Sequence, residues 1–188
     1  ALGSLVAVGA VALAVSDGNG GSGGSGSNSG SSSERSDTLD IAGEFTAGPT
    51  VEDHGLTVTA YDEQGNELGS TKINSDNTFL IETDVHYTGP VLLKVTDDDD
   101  GAADYYDEAI DAPVDLTVDL RAVATIEEGQ SILNLVITPL TEIAAAKVAG
   151  TGNKPGAADE VKMVNQAVAN LFKLSTILGE VSPIVNAA

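Results

Sequence analysis

The sequence predicts a mainly β protein: an antiparallel β-sandwich with a C-terminal helical appendix and an N-terminal hydrophobic arm. Three observations predict it. Between residues 38 and 137, short runs alternate apolar and polar residues and are separated by turn residues, the signature of half-buried strands. After Ile137 the apolar residues recur at helical spacing. Ahead of both stand sixteen uncharged residues, ALGSLVAVGAVALAVS, followed by a Gly/Ser-rich stretch reaching Asp37. The chain divides accordingly into an arm (1–16), a linker (17–37), a sandwich (38–137) and C-terminal helices (138–188) expected to pack on the sandwich.

The arm needs something to bury it. As a helix it extends about 24 Å, short of the ~20 apolar residues that a bilayer span requires. It fits the apolar core of an export signal better, and its small residues suit a cleavage site. As a strand it extends about 53 Å and sets Val6 and Val8, then Val11, Leu13 and Val15, at alternate positions. Gly9 and Ala10 shift the phase between the two sets. The near-absence of polar alternation means that both strand faces call for burial. Four readings follow: an export signal, a membrane anchor, a segment that inserts into a neighbouring subunit, or one that packs on its own body. The insertion reading makes Leu5, Val6, Val8, Val11, Leu13 and Val15 the subunit-interface residues, with no membrane span.

The linker has a random-coil reach of about 25 Å. Beyond it, LDIAGEF places Leu39, Ile41 and Phe45 on one face. LTVTAY turns Leu56, Val58 and Ala60 inward, with Thr57, Thr59 and Tyr61 outward. The turn DEQGN leads to ELGSTKI, and SDN leads to TFLIET with Phe79 and Ile81 inward. PVLLKVT follows. Past an acidic loop, DLTVDL reads as a strand with Leu116, Val118 and Leu120 in phase, and RAVATI and SILNLVI flank the turn EEGQ.

Thr138 is a candidate N-cap, with Pro139 at the first helical position and Glu142 in the first turn. Leu140, Ile143, Ala144 and Val148 form a stripe that Gly150 stops. Asp159 and Glu160 open a second helix with Val161, Val164, Val168, Leu171 and Phe172 at helical spacing, leaving Asn165 and Asn170 to its polar face. The segment STILGEVSPIVNAA reads as a docking tail.

Composition narrows the partners. A net charge of −21 and a pI near 4.1 repel nucleic acid and anionic membrane surfaces. There is no cysteine, hence no disulfide, thiolate metal site or lipid-bearing cysteine. Aromatic residues make up 4% and tryptophan is absent, which argues against surfaces that stack sugars or bases. GxSxG and GxGxxG occur only inside the Gly/Ser linker (as in residues 18–24, GNGGSGG), where composition alone produces them without the strand and helix that either motif needs. No HExxH or P-loop motif is present, and His54 and His86 stand apart from any partner motif. No enzymatic activity is expected. The strongest polar cluster is TDDDDGAADYYDEAID, in which Asp98, Asp100, the Gly101 turn and Asp107 follow the spacing of a calcium loop. Thr96 takes the first ligand position there and an aspartate the last, so the same run also reads as a solvated acidic loop. Calcium is the one cofactor it suggests.

The run LTVTAYDEQGNELGSTKINSDNTFLIE resembles the carboxypeptidase-regulatory-like modules of bacterial surface proteins, which are prealbumin-type, Ig-like sandwiches. The continuation YYDEAID, DLRAVATI, VITPLTEIAAA and FKLSTILGEVSPIVN is similar to secreted or surface-anchored proteins of Gram-negative bacteria. In those a sandwich leads into a "TPLT" helix and an FxxxxIL…P…VN segment. The likeness covers roughly residues 39–185 and implies fold and export, not an activity. The layout of arm, linker and sandwich is similar to that of donor-strand pilins. It departs from type IV pilins, which usually carry a glutamate where Leu5 stands. It also departs from isopeptide-bonded pilins, since LDIAGEF has no lysine. Two functions are therefore expected. One is a structural subunit of an extracellular filament, a homopolymer of identical subunits at the cell surface. The other is a monomeric adhesin or matrix-binding module whose N-terminal stretch is a retained signal or tether.

Overall fold

Period-two alternation along each run gives every strand one apolar face, and two sheets form by burying those faces against each other. The computed structural model describes residues 38–52, 54–98, 101–175 and 178–180. The arm and linker, including Leu5, Val6, Val8, Val11, Leu13 and Val15, lie outside the described residues, as does the tail beyond Glu180. In chain order the elements are β1 (Asp40–Phe45), β2 (Thr57–Tyr61), β3 (Glu67–Lys72), β4 (Thr78–Glu82) and β5 (Gly89–Thr96). Then come β6 (Tyr105–Asp107), β7 (Ala112–Val114), β8 (Leu120–Ile126), β9 (Ile132–Ile137), α1 (Pro139–Val148), α2 (Ala158–Leu171) and a short 3-10 turn, Leu178–Glu180. One sheet has the order β4-β1-β9 and the other β3-β2-β5-β8, with β6 and β7 forming a separate hairpin.

The predicted inward residues make the core. Leu39 just before β1, Ile41 and Phe45 of β1, Leu56, Val58 and Ala60 at β2, and Phe79 and Ile81 of β4 are all at most 2% exposed. They meet Val91, Leu93 and Val95 of β5 and Leu133, Leu135 and Ile137 of β9. Gly43 interrupts the β1 series for a steric reason: a Cβ there would lie 2.5 Å from the Phe79 ring.

Several expectations need correction. The sandwich is not wholly antiparallel, because β9 pairs with β1 in parallel. RAVATI and SILNLVI do not form a hairpin; the Glu127–Gln130 turn carries the chain from one sheet to the other. The β8 edge is taken instead by Glu142 of α1 and Asn165 of α2, and β8 is buried on both sides. Ala122 and Ile126 face the core, while Val123, 2% exposed, faces outward beside its cross-strand neighbour Leu92. That outer apolar pair is covered by the helices through Ala145 and Val161, and the helix layer stands where a hairpin partner would have been.

DLTVDL is not a strand. Leu116 is buried, but Val118 is 71% exposed, and Thr117 donates its N–H to the Asp115 carbonyl in a tight turn that breaks the alternation. The acidic loop, in turn, contributes β6 to an unforeseen hairpin with β7, which follows it directly.

The start of α1 is as expected. The Thr138 hydroxyl accepts from the amides of Leu140 and Thr141, and Thr141 returns the bond by accepting from the Thr138 amide at 2.9 Å. The stripes are shifted. α1 buries Thr141, Ala144 and Ala145 while Ile143 is 38% exposed, and α2 buries Val161, Val164, Val168 and Ala169. Leu171 and Phe172 are 72% and 46% exposed, because α2 ends there and the chain turns through Lys173 at φ 56°.

Two substitutions test this layering. Leu92→Ala removes a side chain trapped between sheet and helices and is expected to cost about 2–5 kcal/mol in urea unfolding, with sheet and helices lost in one transition. Phe172→Ala is expected to cost about 1 kcal/mol or less, since its ring is half in water. A first transition that melts the helices and leaves the β signal intact would show instead that the layers are independent.

Candidate functional site

Two places concentrate chemistry: an acidic cluster at one end of the sandwich, and the open side where the two sheets end. At the first, Asp97 at the end of β5, Asp104 before β6 and Asp115 after β7 bring carboxylate oxygens within 4.8 Å of one another. Asp104 is 1% exposed. Its Oδ2 accepts from the Leu116 amide at 2.8 Å and its Oδ1 from the Gly55 amide at 3.3 Å. Its own N–H donates to Val114 and its C=O accepts from Val51. Burial holds the Asp104 carboxyl above the ordinary carboxylate value. The Leu116 and Gly55 amides oppose the rise, and the charges of Asp97 and Asp115 add to it.

Chemically this is first a latch. Each Asp104 oxygen already accepts a backbone amide, so the residue ties the loop before β2 to the segment before β8. The three carboxylates are hard oxygen donors of the kind calcium takes, although its shell requires about 6–8 oxygens.

The residues singled out from the sequence fall elsewhere. Asp98 packs against Gly55, where a Cβ would come 2.4 Å from the Asp98 carboxyl carbon. Asp107 lies in the β6–β7 hairpin and accepts from the Ala109 amide at 2.8 Å. Neither belongs to the converging group, and Asp100 lies outside the described residues. His54 accepts from the Leu56 amide through Nδ1. Asp97, Asp104 and Asp115 were missed because linear spacing does not reveal them. The hairpin between them brings 104 and 115 together, and nothing local marks them among 29 acidic residues.

At the second place, β8 and β9 are the last strands of their sheets and lie side by side without pairing. The β8 edge is closed by side chains. Glu142 of α1 accepts from the Arg121 amide at 2.8 Å and also holds the Arg121 guanidinium through both carboxylate oxygens. Asn165 of α2 donates to the Val123 carbonyl at 2.8 Å. Asn165 is thus not part of a polar face but a plug on a strand edge. Between α2, the 3-10 turn and β9 lies a cavity of about 540 Å³. The opposite side of the sandwich is tight: a Cβ on Gly69 of β3 would lie 2.6 Å from Ile81 of β4. No helix among the described residues is long and apolar enough to cross a membrane.

No protein-family model matches the chain, and no curated protein matches it in sequence. Among solved structures it is similar to a fimbrial assembly protein from Parabacteroides distasonis ATCC 8503, with 12% identity and a TM-score of 0.32. The match covers 54% of this chain and 52% of that one, about half of each. Likeness at that level carries no argument about what this chain does. The sandwich implied by the Leu56–Glu82 resemblance is present, while the carboxypeptidase-regulatory-like module itself is not confirmed.

The latch gives two expected outcomes. Asp104→Ala leaves the buried Leu116 amide without an acceptor and is expected to cost roughly 1–3 kcal/mol in chemical denaturation. Asp104→Asn tests the charge. Because the folded-state value of Asp104 is raised, the fold binds its proton more tightly than the unfolded chain does. The parent therefore gains stability as pH falls through that raised value toward 3.8. The variant lacks this gain, so its melting temperature relative to the parent is expected to decline between pH 7 and pH 4. A difference that stays flat with pH contradicts the assignment.

Proposed function

We propose that this chain is a structural subunit of an extracellular, pilus-like filament, in which the arm Ala1–Ser16 of one subunit inserts into the next. The observation that carries the reading is the uncharged arm joined by a Gly/Ser linker to a folded β-sandwich. An arm apolar on both faces gains about 25 cal/mol for each Å² taken out of water. Its backbone groups also need partners along their length, and a strand added to a sheet supplies them.

The attachment point supports a structural role. The linker leads into β1, which is paired on one side with β4 and on the other with β9. Tension along the arm is thus borne by the central strand of a sheet, whose hydrogen bonds lie across the pull. Most of the net charge of −21 belongs to the body, since residues 1–37 contain only Asp17, Glu34, Arg35 and Asp37 as charged groups. Acidic bodies repel on close approach, and a neutral arm on a long tether joins them without forcing their surfaces together. Head-to-tail insertion is a heterologous contact, which propagates as an open filament unless it closes into a ring.

Deleting residues 1–16 is expected to give a folded monomer that no longer polymerises, read by size-exclusion chromatography and negative-stain microscopy. Val11→Asp with Leu13→Asp is expected to do the same, since two charges would enter a dry site. Filaments from the truncated chain, or a full-length chain that stays monomeric at high concentration, favour the surface-module reading instead. Assembly on this reading requires no cofactor. Chelator is expected to leave melting temperature and filament yield unchanged, whereas a melt that rises with added calcium would put an ion at Asp97, Asp104 and Asp115.

A further inference from the structure

We propose that the acceptor for the arm is the free edge of β9, within the cavity between β9, α2 and the 3-10 turn, and that the occupant is the arm of a second copy. This rests on the filament reading above and adds the site.

The backbone parity of β9 identifies the edge. Asp40 donates to the Ser131 carbonyl and Thr46 to the Ile137 carbonyl. In a parallel ladder this register turns the odd-numbered groups of β9 toward β1 and the even-numbered ones, at Ile132, Asn134 and Val136, outward. The Ile132 carbonyl is taken by the Gln130 side chain at 2.8 Å. The Asn134 amide and carbonyl meet no hydrogen-bond partner among the described residues. The two neighbouring strand edges differ in this respect, since β8 is plugged by Glu142 and Asn165 while β9 is open at its middle.

The surroundings fit an apolar strand. Ile132 is 48% exposed at the edge. Leu135, Val161, Ala169 and Leu178 line the cavity. Thr125 also lines it, and its hydroxyl is buried without a hydrogen-bond partner among the described residues. Lys162 and Glu127 at the rim are paired with each other at 2.6 Å, so no uncompensated charge opposes an uncharged guest there.

The arm has the matching pattern. Residues 10–15 read AVALAV, with Val11, Leu13 and Val15 on one face and Ala10, Ala12 and Ala14 on the other. Large residues on one side suit the apolar wall, and alanines on the other suit the close approach of α2. Six such residues extend about 20 Å, the length of β9. The described chain begins at Thr38, two residues before Asp40, which is bonded at the start of β9. The arm therefore leaves each subunit beside the mouth of that subunit's own cavity, on a linker long enough to reach the next one.

The chain has no native cysteine, which makes the test direct. Chains carrying one cysteine at Ala10, Val11, Ala12 or Leu13 are mixed with chains carrying Asn134→Cys, or with chains carrying Leu80→Cys at an exposed position of β4, and oxidised during assembly. The expected result is an interchain disulfide to Asn134→Cys and none to Leu80→Cys. Asn134→Pro removes an outward N–H that β1 does not use. It is expected to slow polymerisation at least tenfold with its melting temperature unchanged.

Filaments that crosslink at Leu80→Cys, or at neither position, overturn the site while leaving arm-driven assembly standing. Loss of filaments with a disulfide formed only within a single chain bearing Val11→Cys and Asn134→Cys overturns both. A bond within one chain between Ile184→Cys and Asn134→Cys gives the cavity to the chain's own tail and overturns the site alone.

Discussion

Burial of β8 on both of its faces is the constraint from which the rest of the architecture follows. A strand at the end of a sandwich sheet normally keeps one face in water. Here Ala122 and Ile126 enter the core while Val123, beside Leu92, is sealed from outside by Ala145 and Val161. The second burial fixes a helix layer over this sheet. That layer supplies Glu142 and Asn165 to the β8 backbone, and β9 pairs instead across the sandwich with β1. One apolar pair on an outer face thus holds the helices in place, and the helices in turn occupy the β8 edge.

Edge management follows from the same arrangement. Unpaired strand edges invite association, and proteins blunt them with charges, bulges or covering elements. The β8 edge is blunted by a carboxylate and an amide held on helices, and the β3–β4 side is closed by contact at Gly69. Among the described residues, the β9 edge keeps unmet groups at Asn134 next to a cavity of about 540 Å³. A strongly acidic surface limits indiscriminate pairing there, because bodies of like charge meet only against repulsion. An uncharged, alternating strand on a tether is the kind of guest that avoids this penalty.

The acidic residues divide into two populations. Most lie on the surface and contribute charge. Asp104 is buried with both oxygens bonded to amides, so a residue in a loop that reads as solvent-facing is one of the ties holding the end of the sandwich. Its desolvated charge is the cost of that role. Asp97 and Asp115 add to the cost by standing close.

The sequence by itself determined what depends on neighbours along the chain. The inward faces of β1, β2 and β4 follow from period-two alternation at Leu39, Ile41, Leu56, Val58, Phe79 and Ile81. The start of α1 follows from Thr138 and Pro139, whose capping chemistry is complete within four residues. The arm's uncharged character and its linker are likewise written in composition.

Tertiary structure decided what depends on residues far apart. The β8 edge that a hairpin partner would use is occupied by Glu142 and Asn165 of helices that come later in the chain, which no turn between Ile126 and Ile132 records. The true α2 stripe, ending at Ala169 and not at Phe172, depends on where the sheet surface runs out. Asn165 reads as solvent-facing until a strand edge lies opposite it. Asp104 gained its role only when a hairpin and two loops converged on its carboxylate. Local chemistry fixes which way a side chain faces, but a hydrogen-bond partner or a covering surface exists only once the chain has folded back to provide it.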